Sequence, residues 1–239
     1  MNDQDSQDQS SRPIRSFVIR SGRMTESQRS SLNSHLEQWG LTLSEQVINY
    51  ADAFGNTNPL VMEVGFGMGD SLAIMAENNP EQNFIGIEVH SPGIGRLLSL
   101  AANKELNNLR VFNEDAVKVL KQCTAEQSLS RLNLYFPDPW HKTKHHKRRL
   151  VQMPFLKLIH SRLLTGGLFH FATDWEPYAE HVINLMKEQT LFENVAGDEL
   201  FVSPQDYGRP ETKFERRGQR LGHGVWDMVF RTLPKNDKL

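Results

Sequence analysis

Three alternating glycines form the clearest chemical motif of the chain. Gly65, Gly67 and Gly69 directly follow the apolar segment 60–64. Glycine permits a tight strand-to-helix turn and lets the backbone approach a ligand with no Cβ in the way. A helix that starts beyond such a turn offers free N–H groups to an anion. Glu88 follows nineteen residues after Gly69, and a carboxylate there can accept hydrogen bonds from both ribose hydroxyls of an adenosine.

Two cofactors fit a turn of this kind. A nicotinamide dinucleotide requires the spacing G-x-G-x-x-G, whereas this chain has G-x-G-x-G followed by Asp70, whose carboxylate would repel a pyrophosphate. S-adenosylmethionine has no phosphate, and the acidic Glu63 beside the turn suits its ammonium group. The pattern therefore favours S-adenosylmethionine over a dinucleotide. A turn without any ligand is less favoured, because each glycine weakens a helix start by about 1 kcal/mol.

A second acidic group is predicted to be held rigidly near the crevice that the glycine turn would line. Asp138 stands between Pro137 and Pro139, and the two prolines fix the backbone on either side of it. Trp140 offers a stacking face for a base, although packing in the core is the commoner fate of a tryptophan. The loop therefore predicts a reactive or base-binding carboxylate.

Two further aspartates follow apolar segments, and each has two interpretations. Asp115 could line the crevice and bind an adenine amino group, or it could cap the next helix. Asp174 could contact a base directly, or it could be a helix N-cap before Trp175. From the residues alone these alternatives stay open.

Positive charge is concentrated locally although the net charge of the chain is −2. Fourteen of the 27 Lys and Arg residues fall in segments 11–23, 141–149 and 207–224, and the first two segments contain no acid. This distribution favours a polyanion such as RNA, with solvated surfaces as the alternative. Histidines 141, 145 and 146 could suggest a metal, but the surrounding cations and the absence of a nearby cysteine predict no metal site.

The elements that would position these residues alternate regularly from Pro59 onward. The predicted strands are 60–64, 84–89, 109–112, 132–136 and 168–172, with a late edge strand at 224–230. The predicted helices are 70–78, 93–107, 116–122, 151–164 (ended by Gly166-Gly167) and 176–189. Short apolar runs between amphipathic segments are typical of a parallel sheet with crossover helices. We expect an open doubly wound α/β sheet with helices on both faces and its ligand at the carboxyl ends of the strands.

The bulk properties fit one sizeable α/β domain in 239 residues. No apolar segment of about 18 residues predicts a membrane span, and the acidic, polar first residues do not have the pattern of a signal peptide. The single Cys123 excludes an intramolecular disulfide. We expect a cytoplasmic enzyme with a disordered acidic tail at 1–11, a basic arm and helical segment at 12–57, and a catalytic domain at 58–239. A monomer and a homodimer are both compatible with this organisation.

Five motifs occur together in one order and make the chain resemble the bacterial tRNA (guanine-N7)-methyltransferase family. They are E-V-G-F-G-M-G (63–69), G-I-E-V-H-S-P (86–92), F-P-D-P-W-H-K (136–142) with the following H-x-K-R-R, A-T-D-W-E-P-Y (172–178) and T-K-F-E-x-R-G (212–218). The similarity extends from about Arg12 to Arg231. It implies a class I methyltransferase with a Rossmann-like seven-stranded sheet, which uses S-adenosylmethionine to methylate N7 of the variable-loop guanine at position 46 of tRNA.

The resemblance also implies a role for particular residues. The cofactor would be bound by Glu63, Gly65, Gly67, Gly69, Glu88, Asp115 and Asp138, and Asp138 would also be catalytic. The substrate would contact Lys142, Asp174, Thr212, Lys213, Phe214 and Glu215. The RNA would contact Lys144, His145, His146, Lys147, Arg148 and Arg149.

Methylation at guanine N7 fits a site built from carboxylates. N7 carries an in-plane lone pair and no hydrogen, so no strong base is needed, and alignment of the reactants should supply most of the catalysis. A fixed carboxylate can stabilise positive charge arriving on the purine and bind the N1 and N2 hydrogens of guanine. Asp138 and Asp174 are the candidates.

Two other function classes remain open. A methyltransferase acting on proteins or small metabolites would keep the glycine turn and Glu88 but has no need of three basic segments. A non-catalytic RNA-binding module would not require Glu63, Glu88 and Asp138 together.

Overall fold

The computed structural model describes residues 16–17, 23–211, 215 and 224–234. Within these ranges it has eight strands in one sheet. The strands are β1 (Gly40–Leu41), β2 (Leu60–Val64), β3 (Asn83–Ile87), β4 (Leu109–Phe112), β5 (Leu129–Tyr135), β6 (Leu163–Thr173), β7 (Phe192–Asn194) and β8 (Trp226–Thr232). The helices are α1 (Glu26–Trp39), α2 (Tyr50–Phe54), α3 (Asp70–Asn78), α4 (Ser91–Asn103), α5 (Ala116–Gln122), α6 (Met153–Arg162) and α7 (Glu176–Lys187).

The strand order is β1-β4-β3-β2-β5-β6-β8-β7. All neighbouring strands from β1 to β6 run parallel, and β8 is antiparallel to both β6 and β7. The chain fills one side of β2 with β3 and β4 and then crosses to β5 on the other side. The carboxyl ends of β2 and β5 therefore diverge into loops that leave a crevice between them.

Helices cover both faces of the sheet and bury two apolar layers. One layer packs α1, α3 and α4 against residues such as Val61, Phe84 and Val111. The other packs α2, α5, α6 and α7 against residues such as Met62, Leu132 and Phe171. All five residues of β2 are buried, which explains why four of them are apolar and the strand does not alternate between apolar and polar residues.

The predicted α/β fold is confirmed, with differences at its edges. Segments 60–64, 109–112, 70–78 and 116–122 have the predicted bounds. The sheet has eight strands and not seven because the two-residue β1 pairs with β4. The last strand was predicted to lie at the edge of the sheet, and this is wrong, since β8 lies between β6 and β7. The sequence did not predict β7, because the strand has only three residues and only one of them is buried, which leaves no apolar pattern to recognise.

The paired glycines 166 and 167 do not end the preceding helix. That helix ends at Arg162, and both glycines lie inside β6. A Cβ at Gly167 would approach the carbonyl oxygen of Leu164 to 2.8 Å. Gly167 therefore permits close packing where the strand begins.

The segment before the predicted catalytic domain packs onto that domain. Thr25 and Gln28 form a reciprocal cap at the start of α1, which lies directly on α4. Trp39 is buried, and its indole Nε1 donates to the carbonyl of Leu106 at 2.7 Å. A Cβ at Gly95 would lie 2.3 Å from the carbonyl oxygen of Gln28, so this glycine allows the two helices to approach each other.

One part of the sheet buries polar groups in place of apolar ones. Arg209 is 2% exposed and donates to both carboxylate oxygens of Asp227 on β8 and to both of Glu215, each at 2.7 Å. Asp227 also accepts from Nε2 of His170 at 2.7 Å. A guanidinium shared by two carboxylates satisfies all three charges where no water reaches them.

His170 is neutral in this network. Its Nδ1 lies 2.6 Å from Nη2 of Arg131, which can only donate, so Nδ1 accepts and the proton resides on Nε2. Burial lowers the pKa of His170 to about 4, and the hydrogen bond to Asp227 opposes that effect only in part.

Within the described ranges, no helix is long and apolar enough to span a membrane. The same residues contain no group of three or more His, Cys, Asp or Glu side chains placed to hold a metal ion.

The lowered pKa of His170 predicts that the free energy of unfolding depends on pH. The unfolded chain protonates this imidazole near its ordinary pKa, whereas the folded protein resists protonation down to about pH 4. The contribution is complete above about pH 6.5 and is lost as the pH falls towards 4, with a slope of at most about 1.4 kcal/mol per pH unit. In His170→Gln this part of the slope should disappear, as measured by urea unfolding between pH 4.5 and 7.5. His35→Gln on α1 is the matched control, and identical slopes in wild type and His170→Gln would contradict the assignment.

Candidate functional site

A cavity of about 530 Å³ opens at the carboxyl ends of β2, β3 and β5. The residues that line it include Gly65, Gly67, Glu88, Asp115 and Asp138. These five were predicted to bind the cofactor from separate segments of the sequence. The structure brings them together because the parallel strands that precede them end at the same edge of the sheet.

The three glycines of the turn have two different roles. All three have positive φ, at 73°, 60° and 77° for Gly65, Gly67 and Gly69. A Cβ on Gly65 or Gly67 would point into open space, so at these two positions the bare backbone faces the cavity. A Cβ on Gly69 would lie 2.8 Å from the Cβ of Leu97. Gly69 therefore serves the contact between α3 and α4 and does not line the cavity.

A fourth glycine supports the turn and was missed in the sequence. Gly93, in the first turn of α4, would place a Cβ 1.9 Å from the carbonyl oxygen of Gly67. No substitution fits there without moving the turn. The available signal was the Pro-Gly pair at the start of a helix.

Glu88 is held rigidly at the edge of the cavity by backbone groups. Its Oε2 accepts from the amide of Gly67 at 2.9 Å, and its Oε1 accepts from Val89 at 2.7 Å and His90 at 2.9 Å. A carboxylate oxygen can accept two hydrogen bonds. Oε2 therefore keeps capacity for a ligand hydroxyl while the side chain ties the end of β3 to the glycine turn.

Asp115 caps a helix and also lies in the lining of the cavity, and the predicted contact with an adenine amino group stays a prediction. Its Oδ1 caps α5 by accepting from the amide of Val117 at 2.8 Å, and the residue also lines the cavity. The cap fixes the orientation of the carboxylate. The neighbouring Glu114 lines the cavity too and was not singled out from the sequence.

The lining has a strongly acidic character. Glu88, Glu114, Asp115 and Asp138 all contribute, and among the described residues that line the cavity there is no lysine or arginine. Such a surface repels a pyrophosphate and attracts a cation. The sulfonium and ammonium groups of S-adenosylmethionine fit this set of acceptors. Gly65 and Gly67 leave room for the cofactor to contact the protein backbone.

Glu63 lies beneath the turn and is not among the residues that line the cavity. It is 3% exposed and stands beside Asn133 of β5 in the sheet register. Its Oε2 has no hydrogen-bond partner among the described residues. Burial raises the pKa of Glu63 to about 8, although the positive charges of Arg131 and Arg209 act in the opposite direction. Glu63 was expected to contact the ammonium group of the cofactor, but the structure places its side chain under the turn and outside the cavity lining.

The Asp138 loop is bracketed by two strained residues. Phe136 and Trp140 both have φ near +50°, a conformation that costs a non-glycine residue about 1–3 kcal/mol. Asp138 lies between them, exposed and facing the cavity. Because a strained backbone persists only where its surroundings hold it, the loop must be anchored by its neighbours.

Trp140 is part of that anchorage. Its indole Nε1 donates to the carbonyl of Ser16 at 3.1 Å, and the guanidinium of Arg148 lies 3.9 Å from its ring centroid. One face of the ring is thereby covered by a cation. Ser16 and Phe17 also line the cavity, so this short described part of the basic arm lies against the candidate cofactor site.

Asp174 is exposed and is not the N-cap of the following helix. α7 begins at Glu176 with Trp175 in the cap position, and no side chain makes a cap hydrogen bond. The N-cap interpretation is therefore wrong. The carboxylate remains available to a ligand from the turn that follows β6.

The predicted RNA-contacting segment forms a short 3-10 helix over Thr143–Arg148. Lys142, Lys144 and Lys147 are exposed, whereas His145, His146 and Arg148 are half-buried. Arg149 differs from all of them because it is only 3% exposed. The exposed surface of this segment, which we call the basic ridge (142–148), therefore ends before Arg149.

The predicted substrate segment lies mostly outside the described residues. Thr212, Lys213 and Phe214 fall outside them, and Glu215 is described. Glu215 is 4% exposed, with both carboxylate oxygens accepting from Arg209. The Arg209 guanidinium also lies 5.4 Å from the ring centroid of Phe136. In the sequence Arg209 is one basic residue of segment 207–224, since nothing local distinguishes it from an exposed arginine.

Comparison with known proteins agrees with this geometry. A family model described as "Putative methyltransferase" matches residues 57–228. A tRNA (guanine-N(7)-)-methyltransferase of Saccharophagus degradans is 54% identical over 91% of this chain and 94% of its own length. The protein of the same name from Hydrogenovibrio crunogenus is 51% identical over 93% and 92%.

Solved structures show the same fold at much lower identity. The 16S rRNA methyltransferase KamB has a TM-score of 0.57 and 15% identity, covering 82% of this chain and 98% of its own. The antibiotic-resistance methyltransferase Kmr has a TM-score of 0.51 and 13% identity, covering 81% and 96%. From the full-length similarity to its sequence relatives and this shared fold, the chain belongs to the tRNA (guanine-N(7)-)-methyltransferase family.

Proposed function

We propose that this chain transfers the methyl group of S-adenosylmethionine to N7 of the variable-loop guanine, position 46, of tRNA in the cytoplasm. The observation that carries the proposal is the acidic, glycine-lined cavity beside the Asp138 loop. Relatives at 51–54% identity bear the name of this activity. The basic ridge, which directly follows the loop, supplies cations for phosphates.

Different residues of the cavity would bind different parts of the cofactor. When bound, S-adenosylmethionine supplies an activated methyl group on a positively charged sulfur. Glu88 accepts hydrogen bonds from ribose hydroxyls, because backbone amides fix its carboxylate at the cavity edge. Asp115 accepts from the adenine amino group with the oxygen not used in capping α5. Gly65 and Gly67 let the backbone approach without a clash.

The acceptor base requires positioning and charge stabilisation, not deprotonation. Asp138, at the rim of the cavity, places negative charge where the purine becomes positive. Asp174, exposed on the next loop, binds the N1 and N2 hydrogens of the guanine. Lys142, Lys144 and Lys147 of the basic ridge contact phosphates and bring the base to the loop.

The direct test is to incubate the purified protein with labelled S-adenosylmethionine and tRNA that lacks the modification. We expect label in tRNA and strand scission at the variable-loop guanine after chemistry specific for N7-methylated purines. Label in peptides or small metabolites with none in tRNA would overturn the proposal. So would failure to bind S-adenosylmethionine, or binding of a dinucleotide in its place.

Asp138→Asn keeps the size of the side chain and removes its charge. We expect kcat to fall about 100-fold or more, since one preorganised electrostatic group contributes on that scale, while the Kd for tRNA changes by about twofold at most. Steady-state kinetics and filter binding measure the two quantities. Asp198→Asn, an exposed aspartate in a 3-10 turn, is the control. An equal loss in kcat and in tRNA binding would show that Asp138 only positions the RNA.

Glu63→Gln should separate stability from cofactor affinity. The folded protein retains a proton on Glu63 up to about pH 8, whereas the unfolded chain loses it near pH 4.5, so this group costs stability as the pH rises between those values. We expect the glutamine variant to be more stable by roughly 1–3 kcal/mol at pH 7.5 and little changed at pH 5. Its Kd for S-adenosylmethionine should stay within about twofold of the wild-type value at pH 7.5, because the carboxyl group that is replaced is largely protonated there.

Thermal unfolding at the two pH values and calorimetry with the cofactor check this prediction. Glu37→Gln, on the exposed surface of α1, is the matched control. A large rise of the cofactor Kd in Glu63→Gln at pH 7.5 would show that a charged Glu63 takes part in binding. A loss of stability at pH 7.5 would contradict the protonated state.

A further inference from the structure

The loop that presents Asp138 needs an anchor that the cofactor site does not provide. Phe136 and Trp140 hold left-handed backbone conformations on either side of Pro137-Asp138-Pro139. The Phe136 end is fixed because its amide donates to the carbonyl of Ala172 at 2.8 Å within the sheet. At the other end the chain leaves the sheet. Trp140 holds part of this second end through Ser16 and Arg148, and a further contact, to the backbone of the loop itself, comes from Arg149.

Arg149 is a buried cation that bonds to backbone. Its Nε donates to the carbonyl of Pro139 at 2.9 Å, and its Nη1 donates to the carbonyl of Pro177 at 3.2 Å. The guanidinium also lies 4.8 Å from the ring centroid of Tyr178. Its Nη2 is 3.2 Å from Nε2 of His146. Each direction of the planar fork therefore meets a different element.

These described contacts are two carbonyl oxygens, an imidazole nitrogen and an aromatic face, and none of them is a carboxylate. Burial accordingly lowers the pKa of Arg149. A cation withdrawn from water onto backbone dipoles has no access to an RNA phosphate. Lys147, two residues earlier, is exposed and has that access.

One of the two carbonyls belongs to the loop that carries Asp138, and the other lies in the helix turn that follows the Asp174 loop. Pro139 follows Asp138 directly, and Pro177 stands three residues after Asp174, in the first turn of α7. One rigid side chain therefore sets the distance between the loop after β5 and the loop after β6. Only arginine presents donors in this fixed fork, so a lysine cannot make both bonds with the same geometry.

We propose that Arg149 is a positioning residue for methyl transfer, which pins the Asp138 loop to the Asp174 loop, and that it does not contact the RNA. The proposal rests on the proposed function for the role of the two aspartates. It removes one residue from the set that the resemblance assigned to RNA. It gives that residue a role in the alignment of the reacting groups.

The test compares two substitutions to the same residue, Arg149→Gln and Lys147→Gln. We expect Arg149→Gln to lower kcat by about 10- to 100-fold, the cost of a small misplacement of reacting groups. Its tRNA Kd and the salt dependence of that Kd should stay at wild-type values. Lys147→Gln should raise the Kd and reduce the slope of log Kd against log salt by about one, as loss of a phosphate contact does.

Arg149→Lys distinguishes the effect of the positive charge from that of the planar guanidinium, because lysine keeps only the charge. If Arg149 acts through geometry, the lysine variant keeps the low kcat although the charge is present. It also keeps the proposal testable if the glutamine variant does not fold. Combined with Asp138→Asn, Arg149→Gln should lower kcat little further, because the placement of residue 138 matters less once its charge is removed. Additive losses would contradict this coupling.

A readout independent of catalysis completes the design. Amide hydrogen exchange in peptides spanning 136–142 and 174–178 should speed up in both Arg149 variants and stay unchanged in Lys147→Gln. A reduced salt slope with wild-type kcat in Arg149→Gln would overturn the proposal, as would recovery of kcat in Arg149→Lys. Absence of tRNA methylation by the wild type would instead overturn the proposed function. The exchange data would still show whether Arg149 holds the two loops together.

Discussion

The reversal of strand order between β2 and β5 is the constraint on which the rest of the site depends. The chain builds β3 and β4 on one side of β2 and then crosses to place β5 on the other side. The loops after β2 and β5 must therefore turn away from each other, and a crevice opens at their common edge. The glycine turn follows β2, Glu88 follows β3, Asp115 follows β4 and Asp138 follows β5. Each of these residues reaches the cavity because it stands just beyond the carboxyl end of a parallel strand.

Negative and positive charges occupy different surfaces around this crevice. The described lining of the cavity has four carboxylates and no lysine or arginine, whereas the exposed cations of the basic ridge begin only four residues after Asp138. A cationic sulfonium and a polyanionic RNA can then approach one another with each held by charges of opposite sign. The near-neutral total charge of the chain conceals this arrangement, because the two sets of charges cancel in the sum.

Two buried arginines do structural work that their residue type alone does not reveal. Arg209 is held between Asp227 and Glu215 and lies against Phe136. Arg149 bonds the carbonyls of Pro139 and Pro177. They contact opposite ends of the strained loop that carries Asp138, one through an aromatic face and the other through backbone. Removal of either leaves buried polar groups without partners, which costs more than the loss of an exposed ion pair.

The sequence by itself determined the alternation of strands and helices, the glycine turn and two of the carboxylates around the crevice, Glu88 and Asp138. These depend on local patterns: apolar periodicity, glycine spacing and prolines on either side of one aspartate. Only the tertiary structure decided that Gly69 packs against Leu97, that Glu63 lies under the turn, and that β8 is interior to the sheet. It alone distinguished the buried Arg149 from the exposed Lys147. The physical reason is that burial and hydrogen-bond partners are set by contacts between segments far apart in the chain, and two neighbouring cations carry no local signal of which one will be enclosed.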